Sequence, residues 1–267
     1  MLANVKQSLL WSKISYIKQR LILEKTSNKS IGENLIFAVN LNNHLQCIEK
    51  IRTIRNWINK QSIHLIDDEH DQYAYKVEEV LKRLLFFSIN GDNKPHLSCG
   101  PRSYAMKEIL RLVGIKSRIV DVFQITKNTI NSHTLIEVYD DNNKNWVLQD
   151  PDFNIEYVFN NDSKSPLSAR KMLGADKEKI KFATNGFLIE NEINCNNTIA
   201  HCFNHCILYR YSYDGKRSQL LATSSALDLM PSLIEAEGVD FKSYMNSRGS
   251  KPIIIKFEND KNIPNTI

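Results

Sequence analysis

Between Ser98 and Asp150 the apolar spacing of the chain changes from that of a helix to that of strands, and this narrows the folds open to it. The stretch CGPRSYAMKEILRLV, beginning at Cys99, carries helix boundary signals. Ser98 suits an N-cap, Pro101 a first-turn position, and Gly114 the C-terminal stop. The runs IKSRIVDVFQI, SHTLIEVYD and NWVLQD follow, rich in β-branched and aromatic residues and bounded by Asn and Asp. They read as three strands. A helix feeding directly into a run of strands is an α+β arrangement.

The rest of the chain fits around that unit. Apolar residues recur at helical spacing from about Leu2 to Glu24, His44 to Lys60 and Asp68 to Phe87, the last followed by Asn90-Gly91. These amphipathic helices are expected to cover the core. Residues 160–178 read as a loop and a short helix. LYRYSYDGKRSQLLAT, with Asp214-Gly215 between two alternating runs, reads as a hairpin. A helix near Asp228 to Glu237 and a strand at Pro252 to Phe257 complete the chain. The expected division is a helical region (1–90) packed on a core (91–160), with a mixed α/β extension of the same domain (161–267).

Composition excludes several classes of function. The net charge is +5, with acidic and basic residues interspersed, and no long Lys/Arg tract or basic helix face marks a nucleic-acid binder. No stretch of eighteen apolar residues marks a membrane span. Lys, Gln, Ser and Arg interrupt the apolar N-terminus, unlike a signal peptide. The expectation is a soluble cytoplasmic protein with reduced thiols, export without a cleaved signal remaining open. Five cysteines in 267 residues are too few and too scattered for a disulfide scaffold.

A cysteine at a helix N-terminus can serve as a nucleophile, because free amide N–H groups and the positive dipole end favour its thiolate. A histidine is then needed close by, oriented by a third group. His133 and Asp150 meet this need if Asp140 and Asn145 close a four-residue loop. Paired positions then sum to 285, and Leu135 faces Asp150. Alternation places His133, Leu135, Glu137 and Tyr139 on one side, with Trp146, Leu148 and Asp150 beside them. His133 and Asp150 become diagonal neighbours. A slip of one residue would turn Asp150 to the other face.

The region from Cys99 to Phe153 resembles the transglutaminase-like superfamily, papain-like α+β enzymes with a Cys-His-Asp triad. Gly114, Ile115 and Arg118 follow Cys99 at the family's intervals, and HTLIEVY, Trp146 and Asp150-Pro151 match its histidine strand and Asp-Pro element. The resemblance spans about 55 residues, and CGPRS, HTLIEVY and DPDFN are similar to bacterial transglutaminase-like proteins. It implies a nucleophile helix packed on an antiparallel sheet, with Cys99 as nucleophile, His133 as general base and acid, and Asp150 orienting His133. It implies attack on an amide carbonyl through a thioacyl intermediate, with no cofactor or metal. The substrate is expected to be a peptide or another amide, cleaved rather than crosslinked. The alternatives are transamidation or deamidation of glutamine side chains, or a binding module that keeps the fold without catalysis.

The backbone N–H of Cys99 is the first oxyanion donor implied, with Asn93, six residues earlier, as a side-chain candidate. Asn93 beside Gly91-Asp92 also suits an ordinary turn. Trp146 is a further substrate candidate. Arg102 and Ser103 depart from the family, which often has an aromatic residue and an alanine there. Leu135 likewise stands where the family has an aromatic. Arg102 meets an anionic substrate, lowers the thiol pKa, or forms an internal salt bridge. A separate cluster, Cys195, His201, Cys202, His205 and Cys206, has residue types able to ligate zinc. Its two i,i+4 pairs sit about 100° apart on a helix and no matching half occurs elsewhere, so it reads as a buried segment.

Overall fold

A computed structural model describes residues 28–41, 44–64, 76–125, 130–175, 179–189, 206–211, 218–223 and 253–257. Four helices, α1 (Asn28–Val39), α2 (Cys47–Lys60), α3 (Val77–Asn90) and α4 (Cys99–Leu112), lie on one face of a mixed sheet. The short strands β1 (Ile63–His64) and β2 (His96–Leu97) pair in parallel with each other. The main sheet consists of β3 (Ser117–Ile125), β4 (Ile130–Asp140), β5 (Asn145–Asp150), β6 (Ile155–Phe159), β7 (Ile180–Thr184), β8 (Phe187–Leu188), β9 (Cys206–Tyr211), β10 (Ser218–Thr223) and β11 (Ile253–Phe257). Its order is β11-β10-β9-β3-β4-β5-β6-β7-β8, antiparallel except for the parallel β10–β11 pair. The short helix α5 (Ala169–Gly174) covers the other face. The architecture is α+β.

Alternation along the strands divides the core in two. Ile136, Val138 and Val147 face the helices, where they meet Ile54, Ile58, Met106, Ile109 and Leu110. Val120, Val122, Leu135 and Leu148 point the other way and pack with Tyr157, Met172 and Leu173. The helices of the N-terminal region therefore share a core with α4.

Helix ends follow local chemistry. Gln46 and Glu49 close a capping box at the start of α2, so that helix begins three residues after His44. Of the helix expected from Asp68 to Phe87, residues 68–75 lie outside the described residues; α3 begins at Val77, where Lys76 is non-helical and Glu78 and Glu79 supply an acidic first turn. It runs on to Asn90, three residues past Phe87, and stops at Gly91, left-handed at φ 73. At the end of α4, Gly114 (φ 75) donates to the Arg111 carbonyl and Ile115 to that of Leu110. This is a Schellman turn, sealed by contact within the core that holds Leu110 and Ile115. Since a Cβ at Gly114 would meet nothing within 4 Å, Gly114→Ala is expected to cost only the backbone strain, about 1–2 kcal/mol, read as a lowered melting temperature.

The strands expected at 115–125, 132–140 and 145–150 form β3, β4 and β5, and the LYRY and SQLLAT runs pair antiparallel as β9 and β10. Strand β6 (IEYVF) was not expected. Ile155 to Val158 are all buried, so the run lacks the alternation that marks a half-buried strand. β7 and β8 were not expected either. The helices expected at 2–24 and 228–237 lie outside the described residues, as do Cys195, His201, Cys202 and His205. Among the described residues no helix is long and apolar enough to cross a membrane.

Candidate active site

The β4–β5 hairpin has the register that the four-residue loop requires, with Asp140 opposite Asn145 and Ile136 opposite Gln149. Continuing that ladder would set residue 151 opposite Thr134, and residue 151 is a proline with no N–H to donate. The chain instead leaves the sheet in a turn over residues 151–154. The first turns of α4 occupy the edge thus left open. Ser103 Oγ donates to the Thr134 carbonyl at 2.9 Å, and the Thr134 amide donates to Cys99 Sγ at 3.5 Å. Asp150-Pro151 thus ends the strand at the point where the sulfur is received.

Asp150 and His133 meet there as the register predicts. His133 Nε2 lies 2.8 Å from Asp150 Oδ2, leaving Nδ1 as the ring nitrogen open to the Cys99 side chain, whose charge acts on the imidazole. Asp150 is fully buried and firmly held. Its Oδ1 accepts the backbone amides of Asp152 (2.9 Å) and Phe153 (3.1 Å), and Oδ2 also accepts the Tyr157 hydroxyl at 3.2 Å. Burial disfavours the charged imidazole. The Asp150 carboxylate and its hydrogen bond, with a smaller contribution from the thiol, outweigh that and hold the His133 pKa well above its ordinary value.

Cys99 is the first residue of α4, and Ser98 holds the N-cap position in extended backbone without capping through its own hydroxyl. The Cys99 and Gly100 amides belong to the first turn, whose N–H groups have no intrahelical acceptor. A Cβ built on Gly100 would meet nothing within 4 Å, so the space at that position of the first turn is open. This combination can present a nucleophile, a proton carrier and amide donors to a carbonyl group.

The other anticipated residues fare differently. Arg102 forms the internal salt bridge. It is 1% exposed, and its Nη1 donates to the Asp152 carbonyl at 2.6 Å and to Asp152 Oδ1 at 3.0 Å. A guanidinium so enclosed is not available to an anionic substrate. Trp146 lies four residues up β5 from Asp150, about 13 Å along the strand. Its ring packs against the Arg118 guanidinium at 3.8 Å and edge-on to Tyr139, which makes it part of a structural cluster rather than a substrate contact. Arg118 in turn pairs with Glu137 at 2.8 Å, and Glu137 accepts the Ala169 amide at the start of α5. Asn93 is exposed in the turn after α3, in left-handed backbone (φ 58) that asparagine tolerates. The ordinary turn reading accounts for it.

Three residues were missed. Asp152 is buried beside Asp150 and binds both Arg102 and His64, the latter with Nδ1 at 2.8 Å from Oδ1. Burial, with the neighbouring Asp150 charge, pushes the Asp152 carboxyl upward in pKa, against the opposing pull of His64 and Arg102. The ring of Phe153 touches both imidazoles, with centroids 5.9 Å from His64 and 5.4 Å from His133. Asp152 and Phe153 stand in the DPDF run. His64 had no sequence signal, since its partner is 88 residues away. Among the described residues no group of His, Cys, Asp and Glu is placed to hold a metal ion. Compared with protein-family models, curated proteins and solved structures, the chain has no match.

Proposed function

We propose that this protein is a cysteine-dependent acyl-transfer enzyme of the papain-like, transglutaminase-like kind, which cleaves peptide-like amide bonds through a thioester on Cys99. The observation that carries this reading is the meeting of sulfur, imidazole and carboxylate from α4, β4 and the end of β5, with Asp150 2.8 Å from His133 and the Cys99 sulfur against the Thr134 amide. In the first step the Cys99 thiolate attacks the carbonyl carbon and the oxyanion forms beside the Cys99 amide. The C–N bond then breaks as the His133 imidazolium gives its proton to the leaving nitrogen. In the second step neutral His133 takes a proton from water, the hydroxide oxygen attacks the thioester, and the thiolate departs. Asp150 keeps the imidazole oriented and stabilises its charged form throughout. Water is favoured as acceptor because it needs no dedicated docking site, whereas an amine acceptor must be positioned.

The test compares wild type with Cys99→Ala on mixed peptide and amide libraries read by mass spectrometry. Products formed by wild type are expected to fall by about 10³-fold or more in the variant. Backbone cleavage would identify a peptidase. Conversion of glutamine to glutamate, or to a substituted amide, would identify the alternative chemistry. Alkylation by iodoacetamide at about pH 6 supplies an independent readout. Cys47 is the internal control, because burial, helped by the nearby Asp140 and Asp141 charges, pushes its thiol upward in pKa against a backbone hydrogen bond from Asp141. Cys99 is expected to label first. Equal labelling of the two, with no Cys99-dependent product, would favour a binding module.

A further inference from the structure

The strands β1 and β2 bring a second histidine to the same site. His64 pairs in register with Leu97, two residues before Cys99, so its backbone is fixed beside the segment that leads into the nucleophile helix. Its ring is fixed independently by the Asp152 carboxylate on Nδ1 and by stacking on Phe153. This repeats the arrangement at His133, where a buried carboxylate from the same turn region grips one ring nitrogen and Phe153 packs against the ring. The two differ in exposure. The His133 side chain is 12% exposed, whereas that of His64 is 43% exposed with Nε2 left to meet a ligand. Since each ring lies within 6 Å of Phe153, the imidazoles are at most about 11 Å apart, the length of roughly three extended residues.

We propose that His64 is a substrate-positioning residue, and that the acyl donor is an extended peptide-like chain whose backbone reaches from Cys99 across Phe153 to His64 Nε2. This rests on the acyl-transfer reading above. With Nδ1 donating its N–H to Asp152, Nε2 is the ring atom left to accept an N–H from the substrate chain. Phe153 supplies an apolar floor between the two histidines. Asp152 is itself locked by Arg102, which presents no charge to the substrate. The site therefore suits a neutral peptide backbone, and a single small amide would leave the His64 end of it unused.

The test reads Cys99 alkylation in wild type, His64→Ala and His64→Gln, using iodoacetamide, a single-residue chloromethyl ketone and a panel of tripeptidyl chloromethyl ketones. In wild type, at least one tripeptidyl reagent is expected to outpace the single-residue reagent about tenfold or more, as one well-made hydrogen bond and its packing allow. His64→Ala is expected to lose that preference while its iodoacetamide rate stays within about twofold. Glutamine keeps an N–H for Asp152 and offers its carbonyl oxygen in place of the ring acceptor, so His64→Gln is expected to melt like wild type and to retain more of the preference than His64→Ala. If His64→Ala keeps it, or if no tripeptidyl reagent outpaces the single-residue one, the role of His64 is overturned and that of Cys99 stands. Failure of every reagent, iodoacetamide included, to label Cys99 selectively would overturn the acyl-transfer reading and this inference with it.

Discussion

Asp150→Asn is expected to yield a folded but less stable protein in which Cys99 alkylation at about pH 6 falls by an order of magnitude or more. The carboxylate accepts four hydrogen bonds at full burial, two on each oxygen. An asparagine that turns its oxygen toward the Asp152 and Phe153 amides must turn its NH₂ toward His133 Nε2 and the Tyr157 hydroxyl. His133 Nε2 can then only accept, which selects the opposite tautomer and places the remaining proton on the nitrogen facing the sulfur. Proton transfer from the thiol to Nδ1 is blocked in that tautomer. Asp150→Ala goes further, stranding all four donors in a buried space. It is expected to cost about 3–5 kcal/mol, measured by denaturant unfolding.

The pH dependence distinguishes this from simple loss of packing. In the native protein the His133 pKa is raised, so its contribution to stability is fully present below the unfolded value of about 6.5. It is lost as pH rises through the raised native value. In Asp150→Asn the raising charge is gone and burial remains, so the shift reverses and protonation of His133 opposes folding. The stability gap between wild type and variant is therefore expected to be widest below about pH 6 and to shrink toward alkaline pH. A gap independent of pH would show that Asp150 acts by packing alone.

How far the sequence foretold this site depends on chain distance. The Cys99 helix start was legible because caps are local signals, and the His133–Asp150 pairing because one four-residue loop fixes the register of both strands. Pro151 belongs to the same legible set, since a proline cannot continue a ladder. Arg102 presented two equal readings, and only the position of Asp152, fifty residues on, decides between them. The His64–Asp152 contact had no local trace, because β1 and the turn at 151–154 meet only after α2 and the sheet have packed. Burial on both faces hid β6 by removing its alternation, and with it the support behind the turn that carries Asp150.

That support sets the second large effect. Glu156 on β6 is fully buried and pairs with Arg52 at 2.8 Å and Arg55 at 3.3 Å, both on α2, and also accepts the Gly186 amide at 2.9 Å. Arg55 is fully buried too, and its Nε donates to Asn154 Oδ1 in the turn between Asp150 and Ile155. Removing Glu156 leaves the Arg55 charge enclosed without its counter-ion, and burial already pulls that guanidinium downward in pKa against the Glu156 charge. Glu156→Ala is expected to cost about 3–5 kcal/mol, whereas Arg55→Met combined with Glu156→Leu removes both charges and is expected to recover most of it. The recovery in stability does not restore the Arg55–Asn154 bond. The turn that presents Asp150, Asp152 and Phe153 then lacks its anchor to α2, so Cys99 alkylation at about pH 6 is expected to stay severalfold below wild type in the double variant. Thermal melts and alkylation rates measured on the same three proteins separate the two roles. Full recovery of both would assign the ion pair to stability alone and leave Asp150 held by its own turn.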